Sequence, residues 1–153
     1  MRYQLVSMDK SHLSAVAALE RQCFSVPWTQ AMLEEELYNP CASFIVAQGE
    51  DEQVLGYAGL HVAADEGYLD NIAVAEPFRR QGVGSALLET FLAFGRVNLA
   101  FLTLEVRVSN EQAIRFYRSH GFQQVGRRKD YYQNPKEDAL LLTVRFQGEE
   151  AES

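Results

Sequence analysis

The stretch RRQGVGS, residues 79–85, joins two segments of different hydrophobic period. Before it, YLDNIAV (68–74) reads as a strand. After it, Val83, Leu87, Phe91 and Phe94 recur every three or four residues, and this spacing predicts a helix from about Val83 to Phe94. The loop therefore leaves a strand and opens a helix. Gly82 and Gly84 lack a Cβ, so backbone N–H groups near them can approach an anion closely. The first turn of a helix adds unpaired N–H groups and a partial positive charge. Arg79 or Arg80 can add charge-assisted hydrogen bonds, and the Ser85 hydroxyl can donate as well. A pyrophosphate suits such a loop. The loop lacks the Gly-Lys-Ser/Thr ending of a P-loop and the third glycine of a dinucleotide fingerprint. Taken alone, it also describes a tight turn with a solvated pair of arginines.

Upstream, residues 3–6 read as a first strand, followed by a helix from about Ser11 with Leu13, Val16, Ala17 and Leu19 as its apolar stripe. FSVPW (24–28) interrupts it, and Thr29 is placed to cap a second helix, QAMLEEELY, that stops at Asn39-Pro40. SFIVAQ (43–48) and VLGYAGLHV (54–62) read as two strands. Downstream, FLTLEVRV (101–108) alternates: Leu102, Leu104, Val106 and Val108 face one way, and Thr103, Glu105 and Arg107 the other. Ser109 or Asn110 can cap a helix through EQAIRFYRSH, which Gly121 is placed to end. FQQVGRR (122–128) and EDALLLTVRF (137–146) suggest closing strands. The order β-α-α-β-β-β-α-β-α-β-β predicts an α/β fold with some parallel pairing in the middle and antiparallel pairing on either side.

The chain has 153 residues, of which 47% are hydrophobic, so one domain over residues 1–147 is expected, with a frayed acidic tail at 148–153. Fourteen Lys and Arg stand against 21 Asp and Glu, a net charge of −7. That balance argues against general nucleic-acid binding and favours a cationic partner. Cys23 and Cys41 have neither metal-ligand spacing nor a disulfide-rich context, and His12, His61 and His120 are scattered, so no metal is expected. Asp9 and Lys10 interrupt any apolar signal core, and no run of 18 apolar residues exists; a cytoplasmic protein away from membranes is expected.

Arg79-Arg80-Gln81-Gly82-Val83-Gly84 resembles the Gln/Arg-x-x-Gly-x-Gly/Ala signature of the GNAT acyltransferases. FSVPW (24–28), NIAVAEPFRRQGVGSALLE (71–89), LEVRVSNEQAIRFYRSHGF (104–122) and RKDYYQNPKEDALLL (128–142) are similar to the RimI branch of that family, whose members acetylate the N-terminal alanine of a ribosomal protein. The resemblance implies a central mixed, twisted sheet of six to seven strands flanked by about four helices, with acetyl-coenzyme A as cosubstrate. It implies that Arg79, Arg80, Gln81, Gly82, Val83, Gly84 and Ser85 hold the pyrophosphate. It also implies that Ile72, Ala73 and Val74 pair with the pantetheine arm and that Asn110 bonds the cosubstrate. Asn110 can serve equally as a helix cap. Asp70 shares the parity of Tyr68, Ile72 and Val74, which fits the strand bulge of the family and also a plain edge strand.

Transfer of acetyl to an amine needs a base for the ammonium, a donor for the oxyanion and an acid for the departing thiolate. By the resemblance, Glu105 is the base and Tyr117 the acid. Read from the residues alone, Glu105 can be a solvated partner of Arg107, and Tyr117 a core aromatic. Trp28, Tyr131 and Tyr132 are the candidates for gripping an extended, basic N-terminal peptide of a ribosomal protein. Glu34, Glu35 and Glu36 suit a solvated helix face. A lysine or small-amine acetyltransferase and a noncatalytic acyl-coenzyme A-binding module remain compatible with the same scaffold.

Overall fold

The computed structural model describes residues 2–146; the tail expected to fray, 148–153, lies outside them. The elements are β1 (Gln4–Ser7), α1 (Leu13–Cys23), α2 (Gln30–Glu36), β2 (Ala42–Gln48), β3 (Val54–Ala63), β4 (Glu66–Val74), α3 (Val83–Asn98), β5 (Phe101–Arg107), α4 (Glu111–Ser119), β6 (Gln123–Tyr132) and β7 (Glu137–Arg145). Their order is the expected one. Thr29 caps α2 by accepting the Met32 N–H at 3.1 Å, and Asn110 caps α4 by accepting the Ala113 N–H at 3.1 Å. Gly121, with φ +98°, follows the end of α4.

Two boundaries differ from expectation by about four residues, and others by one or two. The α3 helix runs a turn further, because its buried stripe continues through Gly95, which has no side chain to register in a hydrophobic pattern. The Phe146 ring packs in the space a Cβ there would need. The β6 strand reaches Tyr132 because it is the edge of the sheet, where residues on both faces are mostly exposed and no alternation marks the strand.

Seven strands form one mixed sheet in the order β1-β2-β3-β4-β5-β7-β6. Among the described residues β4–β5 is the parallel pair, and the other neighbours run antiparallel. Helices cover both faces. On one, Val83, Leu87, Leu88, Phe91 and Leu92 of α3 pack with Leu60, Leu69, Leu102, Leu104 and Val106, joined by Tyr117 of α4. On the other, Leu13, Val16 and Ala17 of α1 and Leu33 of α2 pack on Phe44, Val46, Tyr57 and Ala73. A buried leucine of either layer contributes about 1.5–3 kcal/mol by leaving water. The β5 alternation is as expected, with Leu102, Leu104 and Val106 buried on the α3 face.

Two irregularities in β4 shape the centre of the molecule. Its pairing with β5 lasts three residues, Glu66↔Phe101 to Tyr68↔Thr103, after which the strands separate. Its pairing with β3 jumps from Ala58↔Ile72 to Leu60↔Leu69, so Asp70 and Asn71 together oppose Gly59. This is the bulge, and it begins where the wedge between β4 and β5 opens.

Candidate active site

The wedge has unpaired backbone on its β4 wall. Ala75 N–H donates to Leu55 at 2.8 Å across β3, so by alternation Ala73 also faces β3. The N–H and C=O groups of Ile72 and Val74 therefore face the wedge. Beyond Val74 the chain reaches the N-terminus of α3. Gly82 begins that helix with φ +86°, a backbone that favours glycine, and no side chain caps this end. The first intrahelical acceptor bond is Ala86 N–H to Gly82 C=O at 3.0 Å, so the amides of Val83, Gly84 and Ser85 precede it and point outward. Gly84 has room: an added Cβ would lie 3.6 Å from Phe116 and 3.7 Å from Val74, ordinary contact distances. Nothing in the protein itself demands a glycine there.

Around this cradle the side chains divide. Arg79 turns inward: its Nε donates to the Val74 carbonyl at 2.8 Å, and Nη2 reaches Cys23 Sγ at 3.5 Å. It braces the loop against the end of β4. Gln81 donates to the Pro77 carbonyl at 3.1 Å. Arg80 is exposed with φ +64° and has no ion-pair partner among the described residues, so it is the loop's available cation.

Glu105 stands on the opposite wall, on the face away from α3. Its side chain is only 6% exposed. One oxygen accepts from the Tyr68 hydroxyl and the other from Arg128 Nε at 2.7 Å. The pairing with Arg107 allowed by the sequence does not form. Arg107 instead bonds Glu137 at 3.0 Å, the carbonyls of Gln133 (2.9 Å) and Pro135 (2.8 Å), and Ser25 Oγ (3.2 Å). It thereby ties the β6–β7 hairpin to the α1–α2 loop. A cavity of about 290 Å³ lies against Glu105, lined also by Tyr68, Thr103, Arg128 and Thr143.

Tyr117 is buried in contact with the Phe116 and Phe122 rings. Its hydroxyl makes no hydrogen bond to the described residues, yet no buried side-chain polar atom among them is sealed without a partner, so the hydroxyl opens to accessible space. Burial, and then the neighbouring Tyr132, push it above the ordinary tyrosine range. Tyr132 is also electrostatically close to Glu105 and carries Arg107 4.5 Å over its ring. It is thus near both candidate catalytic groups. Tyr131 is exposed and edge-on to Tyr132, at 5.0 Å between ring centroids. Trp28 is half-buried in the α1–α2 loop, 5.7 Å from the Phe44 ring.

Three features escaped the sequence reading. Glu20 is fully buried and accepts from the Tyr57 hydroxyl, the Trp28 N–H at 2.8 Å and Asn71 Nδ2 at 3.0 Å. It anchors the α1–α2 loop and the bulge to one carboxylate. Its signal was an acidic residue four positions after Val16 on the apolar stripe. Tyr68 was read only as a strand residue. His61 was set aside as isolated, but its Nδ1 lies 2.5 Å from Asp70 Oδ2 and its Nε2 lies 2.8 Å from Glu36 Oε1. Glu36 is therefore no solvated face residue, unlike Glu34 and Glu35. Burial pushes the Asp70 carboxyl up to about 6; His61 opposes this, and Glu36 and Glu105 reinforce it. Burial works to lower the His61 imidazole, but the bonds and charges of Glu36 and Asp70 outweigh it and raise it.

A splayed β4–β5 pair, a bulge beside it and an uncapped glycine helix start beyond the end of β4 make up the candidate site. The acetyltransferase (GNAT) family model matches residues 13–122. The chain is 34% identical over 140 residues to a putative ribosomal protein bS18-alanine N-acetyltransferase of Bacillus subtilis, covering 90% of this chain and 92% of that one. It is 32% identical over 141 residues to the bS18-alanine N-acetyltransferase of Escherichia coli K12, covering 90% and 94%. The crystal structure of the Escherichia coli ribosomal-protein-S18-alanine N-acetyltransferase superposes with a TM-score of 0.86 at 29% identity, covering 96% of each chain. The chain belongs to the GNAT acetyltransferase family and, within it, to the RimI branch. It is an enzyme, and its class of reaction is acetyl transfer.

Proposed function

We propose that the protein transfers acetyl from acetyl-coenzyme A to the N-terminal α-amine of a protein, the N-terminal alanine of ribosomal protein bS18 being the preferred acceptor. The observation that carries this reading is the wedge: β4 and β5 part after Tyr68↔Thr103, the Tyr68–Glu105 pair stands where they part, and the chain beyond β4 leads to the uncapped N-terminus of α3. The amides of residues 82–85 with Arg80 suit the pyrophosphate, and the wedge-facing groups of Ile72 and the Val74 N–H suit the amide-rich arm; the Val74 carbonyl is already taken by Arg79. Asn110 is engaged as a cap and keeps its amide nitrogen for the cosubstrate.

In this reading the α-ammonium, with an ordinary pKa of about 7.7–8.0, loses its proton toward Glu105. The Tyr68 hydroxyl already donates to Glu105, so it passes its own proton to the carboxylate as it takes one from the amine. The freed lone pair attacks the thioester carbonyl. A β4 N–H facing the wedge stabilises the oxyanion. As the C–S bond breaks, Tyr117 donates its proton to sulfur. Its raised pKa keeps that proton in place at neutral pH but also makes Tyr117 a reluctant acid. Trp28, Tyr131 and Tyr132 line the acceptor groove, whose two sides Arg107 holds at a fixed span. Such an acceptor is met in the cytoplasm.

The test is mass spectrometry on a synthetic peptide with N-terminal alanine followed by arginines. Acetyl on the α-amine is expected; acetyl on a lysine side chain instead would overturn the acceptor assignment. Glu105→Gln should lower kcat by about 10²–10⁴-fold, the usual worth of a general base, with the larger losses at low pH. An unchanged pH–rate profile would remove Glu105 from the role.

A further inference from the structure

We infer that Asp70, held by His61 and Glu36, is the seat of the acceptor's α-ammonium, a binding carboxylate separate from the base Glu105. The inference rests on the proposed acetyl transfer to an amine. It starts from the position of Asp70 in the bulge, two residues past Tyr68, at the first step of the β4–β5 opening. Its side chain is 11% exposed. Oδ2 is taken by His61 at 2.5 Å, whereas Oδ1 has no partner among the described residues. Because no buried side-chain polar atom there is sealed without a partner, Oδ1 opens to accessible space. Glu105 differs in having both oxygens already engaged, by Tyr68 and Arg128. An incoming ammonium therefore finds an unused oxygen at Asp70, whereas each Glu105 oxygen already accepts one bond.

The charges around Asp70 agree. Glu36 faces it from α2 through His61, which comes from β3; Glu105 faces it from β5, with Arg128 of β6 behind. Tyr57 of β3 and Tyr68 of β4 are neutral hydroxyl neighbours, and Glu20 of α1 lies behind Tyr57. Arg107 and Glu137 neutralise each other. Even with His61 protonated, the carboxylates Glu20, Glu36, Asp70 and Glu105 outnumber the cations His61 and Arg128 by 4 − 2 = 2. The buried floor is short of positive charge, and one ammonium supplies it. Burial raises the Asp70 carboxyl, and the charges of Glu36 and Glu105 add to that rise. His61 is a positioning residue: clamped by Glu36 on its far side, it fixes Oδ2 and leaves Oδ1 without a partner among the described residues.

The experiment measures kcat and KM for the alanine-starting peptide from pH 6 to pH 9.5 in wild type, Asp70→Asn and His61→Gln. Loss of one charge-assisted hydrogen bond should raise KM by on the order of tenfold in Asp70→Asn at pH 7, with kcat within about twofold. The KM difference should close above pH 9, where an α-amine of pKa about 7.7–8.0 is neutral. His61→Gln, which keeps a single donor toward Asp70, should show a smaller rise of the same pH dependence. An unchanged KM, a loss confined to kcat, or a KM ratio that persists to pH 9.5 would overturn the inference. Calorimetric titration with the same peptide and with its analogue lacking the α-amino group reads docking without turnover. Wild type should prefer the amine form and Asp70→Asn should not; equal preference in the two proteins would refute the seat even if acetylation proceeds. Absence of wild-type turnover alongside an intact preference would refute the proposed reaction and leave the seat standing.

Discussion

Replacing each glycine of the 82–85 loop by alanine should shift stability in opposite directions. Gly82 has open space around its missing Cβ, with no heavy atom within 4 Å, so packing predicts no cost at all. Its backbone predicts otherwise. At φ +86° and ψ 3° an alanine pays roughly 1–2 kcal/mol for the left-handed conformation, offset by about 0.4–1 kcal/mol from a stiffer unfolded chain. The net loss is about 1 kcal/mol. Gly84 sits in the first turn of α3 with an ordinary helical backbone, and its new methyl would make van der Waals contacts at 3.6 and 3.7 Å. Alanine there gains about 0.5–1 kcal/mol in helix propensity. For a chain of this size a kilocalorie moves Tm by about 2–4 °C, so the two variants should differ by roughly 3–8 °C. Thermal unfolding of the ligand-free proteins by circular dichroism measures it. Acetyl-coenzyme A titration then separates the roles. Gly82→Ala should bind more weakly because it tilts the first-turn amides, while Gly84→Ala should stay close to wild type. A Gly82→Ala protein as stable as wild type, or a destabilised Gly84→Ala, would refute the reasoning.

Tyr117→Phe should slow kcat by about 10–100-fold, at the low end for an acid because burial raises its pKa, and leave acetyl-coenzyme A affinity within a few-fold; a collapse of affinity would make Tyr117 a binding residue. Glu20→Gln offers one acceptor oxygen to three donors arranged around two oxygens, so one donor is left facing an amide NH₂. The cost is about 1–3 kcal/mol, seen as a lower Tm, and an unchanged Tm would contradict the network. Asp70 has a folded pKa of about 6 against an ordinary 3.8, so the fold favours its protonated form and pays an increasing penalty as pH rises between those values. Asp70→Asn should therefore gain stability relative to wild type from pH 4 to pH 7, by at most about 3 kcal/mol and less for the lost His61 contact. Urea melts at the two pH values decide it, and a difference that is flat with pH would refute the shift.

The donor side of the site was readable because its contacts are made by backbone over a short, contiguous run. Gly82, Gly84 and the helix start at Val83 announce a conformation directly in their residue types, and the parity slip at Asp70, which fitted a bulge or a plain edge strand, is a bulge. The acceptor side was less readable because it is assembled across the sheet. Tyr68, Glu105 and Arg128 meet only through the β4–β5–β7–β6 order, and nothing local to any of them names the others. His61 looked isolated for the same reason: its partners are on α2 and β4. Arg107 appeared to belong to Glu105 because they share a face two residues apart, but Glu137 reaches it from the neighbouring strand and wins.

This difference in construction bears on how acceptor choice can change. The donor cradle needs a particular backbone, so most substitutions in it strain the loop or block the approach of the ligand. The acceptor floor is a set of cross-strand side chains, each replaceable without moving the strand that carries it. Asp70 and His61 face each other from β4 and β3, and Glu36 comes from a helix that also holds the groove wall. Altering these three would retune the affinity for a charged amine while Gly82, Gly84 and the wedge continue to hold the same acyl donor. Glu20 limits that freedom. It joins the α1–α2 loop to Asn71 at the bulge. In the proposed reading, one buried carboxylate therefore links the acceptor side to the strand segment beside the oxyanion, and variation is expected around it rather than at it.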